Sequence, residues 1–194
     1  MEFLRLIVSA IFAVFYRVEV VNADNVPENG PVLICANHNG IMDMFFIGYK
    51  IKRYVHYMAK EELFKIPLLG SIIKCLGAFP VKRGTGDVSA IKTVFKLLNE
   101  GKVVGIFPEG TRTLGKQKKD IKIKPGAAMI ALRSGVNIVP VAVKGNYRLF
   151  SRVKVVFGKP FKIESEEGRK YKNSELVKIS EGIMERVYSL LEEK

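Results

Sequence analysis

The sequence predicts an α/β fold with a mainly parallel central sheet flanked by helices. Three observations carry that prediction. Short apolar runs alternate with helical patterns along most of the chain, as in βαβ units. The two segments richest in chemically active side chains each follow an apolar run, where open α/β sheets place their ligands. The 194 residues are 48% hydrophobic and show neither an internal repeat nor a linker, so one domain over residues 1–194 with a substantial core is expected.

The elements follow in order. Between residues 3 and 16 only Arg5 and Ser9 interrupt the apolar residues. A helix of that length is about 21 Å long, short of the roughly 30 Å hydrocarbon core of a bilayer. A signal peptide would need a basic front and an Ala-x-Ala site, and neither is present. A core helix is the plain alternative. Tyr16 and Arg17 suit headgroup level, so residues 1–16 are read as an amphipathic helix at the membrane interface, anchoring without spanning. The α/β core then covers 17–194.

Within that core, residues 17–21 read as a short strand, and Asn25-Val26-Pro27-Glu28-Asn29-Gly30 is dense in turn residues. Residues 31–36 form an apolar strand and 42–49 a helix. Residues 54–59 form a strand ending at Lys60, and 61–76 a helix broken at Ile66-Pro67 and Gly70. A strand over 78–82 runs into Arg83-Gly84-Thr85-Gly86. Val88, Ile91, Val94, Phe95 and Leu98 make an amphipathic helix closed by Gly101. Residues 103–107 form a buried strand, 126–134 a helix, and 137–143 and 153–157 strands. Leu176, Ile179, Ile183, Val187, Leu190 and Leu191 define a terminal helix.

Thirty-two Lys and Arg against 19 Asp and Glu give a net charge of +13, so an anionic partner is expected: nucleic acid, an acidic membrane or a phosphorylated substrate. Nucleic acid is disfavoured, because no helix-turn-helix, RNP-type or zinc-spaced motif is present and the aromatic residues are mostly Phe in apolar segments. Cys35 and Cys75 both lie in apolar stretches without a Cys/His cluster, so a reducing compartment and no structural metal are expected.

The chemistry concentrates in Asn37-His38-Asn39-Gly40-Ile41-Met42-Asp43 and in Phe107-Pro108-Glu109-Gly110-Thr111-Arg112. On an unbroken helix a five-residue step turns through about 500°, leaving His38 and Asp43 roughly 140° apart. A turn at Asn-His-Asn-Gly removes that obstacle: with His38 on the turn and Asp43 in the helix's first turn, the carboxylate folds back onto the ring. Such a carboxylate fixes the imidazole tautomer and leaves the other nitrogen free to take a proton. No Gly-x-Ser-x-Gly elbow is present, so the base is expected to activate a hydroxyl or water brought by the substrate. His56, within a strand, reads as structural. Lys60, Arg83 and Arg112 stand at three strand ends and describe an anion pocket beside the base. Glu109 either binds a substrate hydroxyl or holds Arg112. Backbone N–H groups near Asn39 and Gly40 are candidate donors to a developing oxyanion. The run Lys116, Lys118, Lys119, Lys122 and Lys124 fits an anionic leaflet, an acidic carrier protein or a solvated loop.

These segments resemble the glycerolipid acyltransferase family, and within it the bacterial 1-acylglycerol-3-phosphate acyltransferases. The His38-x4-Asp43 pair is similar to the family's first block, and Phe107 to Arg112 to its third, residue by residue. Gly77-Ala78-Phe79-Pro80-Val81-Lys82-Arg83 resembles the second, with Pro80 where an aliphatic residue is common, and Ile138-Val139-Pro140-Val141 the fourth. The match runs from about residue 18 to 160 in the family's order. The resemblance implies that His38, oriented by Asp43, is the base on the acceptor's hydroxyl. It implies that Lys60, Arg83 and Arg112 bind the acceptor phosphate, with Glu109, Gly110 and Thr111 lining the site. The implied acceptor is lysophosphatidic acid and the donor an acyl-CoA or acyl carrier protein thioester, with no cofactor or metal. The implied product is phosphatidic acid for phospholipid synthesis, made at the cytoplasmic face of the cell membrane. A related enzyme taking another lysolipid is the alternative. Members described as monotopic carry two helices before the base, whereas only one fits here.

Overall fold

The computed structural model describes residues 14–82, 87–145, 147–166 and 168–192. Seven strands form one sheet: β1 (Arg17–Val21), β2 (Val32–Ala36), β3 (Val55–Lys60), β4 (Phe79–Val81), β5 (Val103–Ile106), β6 (Asn137–Gly145) and β7 (Arg152–Phe157). Their order across the sheet is β1-β7-β6-β2-β5-β3-β4. Every neighbouring pair is parallel except β6 with β7. That exception follows from chain length: residues 146–151 are too few for the crossover of a dozen or more residues that a parallel pair requires.

Among the described residues five helices flank the sheet: α1 (Asp43–Gly48), α2 (Leu69–Cys75), α3 (Val88–Asn99), α4 (Gly126–Ser134) and α5 (Asn173–Glu192). The central strands β2 and β5 are buried at every position, as expected of strands covered on both faces. Alternation along β2 divides the core. Val32, Ile34 and Ala36 join Phe46 and Ile47 of α1 on one face, while Leu33 and Cys35 meet Val94 and Leu98 of α3 and Ile130 of α4 on the other. Helix α3 starts where the Asp87 side chain accepts the amides of Ser89 (2.9 Å) and Ala90 (3.1 Å), and ends at Gly101, whose φ of +72° only glycine adopts freely.

The stretch expected as one broken helix resolves into a 3-10 turn over Glu61–Lys65 and helix α2. Pro67 separates them as expected. Gly70 instead lies inside α2, where a Cβ would run into the Phe64 carbonyl. Of the interfacial helix expected over residues 1–16, residues 1–13 lie outside those described. Among the described residues no helix is long and apolar enough to cross a membrane.

The carboxyl ends of β2, β3, β4, β5 and β6 point to one edge of the sheet, and β1 starts from that same edge.

Candidate active site

Strand β2 delivers Asn37 and His38 to that edge. Asn37 extends the β2–β6 pairing by side chain: its Oδ1 accepts the Val143 N–H (2.8 Å) and its Nδ2 donates to the Val143 carbonyl (3.0 Å). The Asn39 Nδ2 donates to the same carbonyl at 3.1 Å. The turn is thereby latched to the sheet before α1 begins.

Asp43, at the first position of α1, folds back as the spacing predicts. Its Oδ2 lies 2.8 Å from His38 Nδ1 and accepts the backbone N–H groups of Asn39 (2.7 Å) and Gly40 (2.8 Å). Its Oδ1 accepts the Tyr147 hydroxyl. Asp43 is fully buried and His38 nearly so. The amides of Asn39 and Gly40 are therefore committed to Asp43 and do not serve as the oxyanion donors expected from sequence.

Glu109 occupies the second motif's turn, closed by the Gly110 N–H donating to the Phe107 carbonyl (2.9 Å), with Gly110 at a φ of +67°. The carboxylate turns inward. Oε2 accepts the His38 backbone N–H (2.7 Å) and the Thr113 hydroxyl (3.0 Å), and Oε1 accepts the Tyr188 hydroxyl from α5 (2.8 Å). Thr113 also binds the His38 carbonyl through its amide at 2.7 Å. Of the two roles open for Glu109, holding Arg112 finds no support among the described residues. Glu109 braces the main chain of the base, and its oxygens are taken up without Arg112. Burial pushes the Glu109 carboxyl above its ordinary range, although the His38, Tyr188 and Thr113 donors pull the other way.

The His38 ring stacks on Phe107 (4.1 Å, 16°), and Phe107 on Tyr57 (5.8 Å, 13°). Gly105 makes room for this ladder, because a Cβ there would lie within the Tyr57 ring's contact shell, 2.7 Å from Cδ1 and Cζ. Tyr57 is buried, and its hydroxyl has no partner among the described residues. Burial and the Asp43 charge hold the Tyr57 and Tyr147 hydroxyls above the ordinary tyrosine range, so both stay protonated. Tyr147 adopts a φ of 60°, a conformation costing a side-chain-bearing residue about 1–2 kcal/mol and kept only where surroundings enforce it.

Among the expected site residues, then, His38, Asp43 and Glu109 join one network. Lys60 is exposed at the end of β3 and pairs with Glu62 at 3.3 Å. Gly110, Thr111 and Arg112 are exposed on the loop after β5, with no side-chain bond to the network. Arg83 lies outside the described residues. His56 is structural, as expected, its Nδ1 lying 2.9 Å from the Gly77 carbonyl. Tyr147, Tyr188, Tyr57 and Thr113 are the members that sequence reasoning missed. No thiol competes as nucleophile near the ring, since Cys35 is fully buried and burial raises its thiol. Among the described residues no group of three or more His, Cys, Asp and Glu side chains could hold a metal ion.

A base with a fixed tautomer and, among the described residues, no partner on Nε2 and no neighbouring thiol can deprotonate a hydroxyl held against it. A family model described as Acyltransferase matches residues 17–144. A 1-acyl-sn-glycerol-3-phosphate acyltransferase of Bacillus subtilis is 41% identical over 149 residues, covering 74% of this chain and 73% of that protein. One of the same name from Borreliella burgdorferi is 30% identical over 136 residues, 69% of this chain and 54% of that protein. The crystal structure of the 1-acyl-sn-glycerophosphate (LPA) acyltransferase PlsC from Thermotoga maritima is similar with a TM-score of 0.72 and 25% identity, over 100% of this chain and 80% of that one.

Proposed function

The chain belongs to the acyltransferase family, and we propose that it transfers an acyl group from a thioester to the sn-2 hydroxyl of 1-acyl-sn-glycerol 3-phosphate. The observation that carries this reading is the buried Asp43–His38 pair, 2.8 Å apart, with no thiol beside it and no other nucleophile bonded to the ring among the described residues. Transfer is then direct. His38 Nε2 takes the hydroxyl proton, the oxygen attacks the thioester carbonyl, and the tetrahedral intermediate breaks its C–S bond to expel the thiolate of coenzyme A or of an acyl carrier protein, which takes the proton back from the His38 imidazolium. The product is phosphatidic acid. The names of the Bacillus and Borreliella relatives support this acceptor. Lys60 after β3 and Arg112 on the loop after β5, together with Arg83, bind its phosphate.

The site works against an anionic membrane surface, as a peripheral or monotopic protein. Two features support this. The charge is +13. The exposed large hydrophobic side chains of the described residues all lie on segments at the catalytic edge: Val14 and Phe15 before β1, Ile41 and Met42 after β2, Leu63, Ile66, Leu68 and Leu69 after β3, Val88 after β4, Leu114 after β5, and Leu149 and Phe150 after β6.

The test is purified protein with labelled acyl-CoA and acyl carrier protein donors against a panel of lysolipids and a nucleic-acid control. Lysophosphatidic acid should be the preferred acceptor, and His38→Ala should lower turnover by about 10²–10⁴-fold while the protein stays folded. Near-normal turnover in that variant removes His38 as the base.

A further inference from the structure

Tyr147 lies beyond the stretch matched by the family model and outside every motif read from the sequence. Its contact with Asp43 is nonetheless central. Asp43 divides its oxygens: Oδ2 takes the His38 ring and two amides, and Oδ1 takes only the Tyr147 hydroxyl among the described residues. Asp43 is fully buried, so removing that hydroxyl leaves a carboxylate oxygen facing protein without a donor. The tyrosine is itself held in place. Its ring packs on the turn so closely that a Cβ on Gly40 would lie 3.2 Å from it, and it leans on Phe46 at 5.7 Å and 58°.

We infer that Tyr147 is a positioning residue for acyl transfer, its hydroxyl fixing the rotation of the Asp43 carboxylate and drawing off part of its charge. The inference rests on the reading of His38 as the base. A carboxylate whose negative charge is shared with a donor stabilises an adjacent imidazolium less strongly. Tyr147 therefore limits how tightly Asp43 holds a proton on His38, and keeps Oδ2 turned toward Nδ1. Around the ring the other titratable groups are Glu109 on the loop after β5, Tyr188 of α5 acting through Glu109, and Tyr57 of β3 beyond Phe107. None of them hydrogen-bonds Oδ1.

Tyr147→Phe keeps the ring on Gly40 and Phe46 and removes only the hydroxyl. Two measurements read the result: titration of the His38 ring by NMR, which needs no substrate, and the pH profile of kcat/KM. With the donor gone the imidazolium gains stability, so the ring midpoint and the acid limb should both move to higher pH by roughly half a unit or more. The freed carboxylate should lower kcat by about tenfold with KM for lysophosphatidic acid within about twofold. Replacing Tyr147 by 3-fluorotyrosine keeps the shape and strengthens the donor, and should move the midpoint to lower pH; that arm decides if the Phe variant does not fold. A midpoint that stays fixed overturns the inference, even where activity falls along with the melting temperature. If the midpoint moves as expected but the wild-type protein acylates no lysolipid, the acceptor reading fails and the Tyr147 assignment stands.

Discussion

Burial raises the proton affinity of the Glu109 carboxyl, and the three donors around it offset that shift only in part. The sign for stability follows. Below the ordinary glutamate range both folded and unfolded chains carry the proton. As pH rises, the unfolded chain loses it first, so the folded state holds more protons and stability declines until the folded group ionises as well. Glu109→Gln can keep an acceptor toward His38 and Thr113 while removing the titration. Thermal unfolding from pH 4 to 7 should therefore show the wild type losing ground to Glu109→Gln as pH rises; a constant gap would contradict it. At this scale the sequence was informative where contacts are local. His38 and Asp43 are separated by a turn, and Glu109 sits on a turn of its own. Tyr147, Tyr188 and Tyr57 left no local signal, because each reaches the site across the fold: Tyr188 meets Glu109 from a helix whose pattern reads simply as amphipathic.

Among the elements, β5 shows how closely strand composition and site geometry are joined. Gly105 interrupts an otherwise apolar β5, and its missing side chain is the space that the Tyr57 ring fills. Gly105→Ala should overpack that contact and cost about 1–3 kcal/mol, seen as a lower melting temperature. Because Tyr57 supports Phe107 and Phe107 supports His38, kcat should fall more than KM rises; unchanged kinetics in a destabilised variant would show that the ladder holds the fold alone. The element order and most boundaries were legible, since continuous apolar runs such as β2 and β5 mark strands buried on both faces. The 3-10 turn before α2 was not, because backbone crowding of Gly70 by Phe64 is invisible in a linear pattern. The antiparallel β6–β7 pair was readable in principle from the short connection between the strands.

For the whole molecule, the gathering of exposed apolar side chains at the catalytic edge predicts how it meets lipid. Replacing Ile66 and Leu68 together by Ser should weaken co-sedimentation with anionic vesicles about tenfold, with little change in melting temperature, since 46% and 76% of those residues are already exposed. Raised salt should weaken binding further. Unaltered vesicle binding would place the contact elsewhere. The sheet's outermost strand has a different consequence, one of timing. β1 is the first of the seven strands to be synthesised, yet it pairs with β7, Arg17 opposite Arg152. At a synthesis rate of about 5–20 residues per second, the first strand waits on the order of ten seconds before its partner exists. Until then the nascent sheet ends at β2, and briefly at β6 once that strand is made, with an open edge, and β1 is free to find other company.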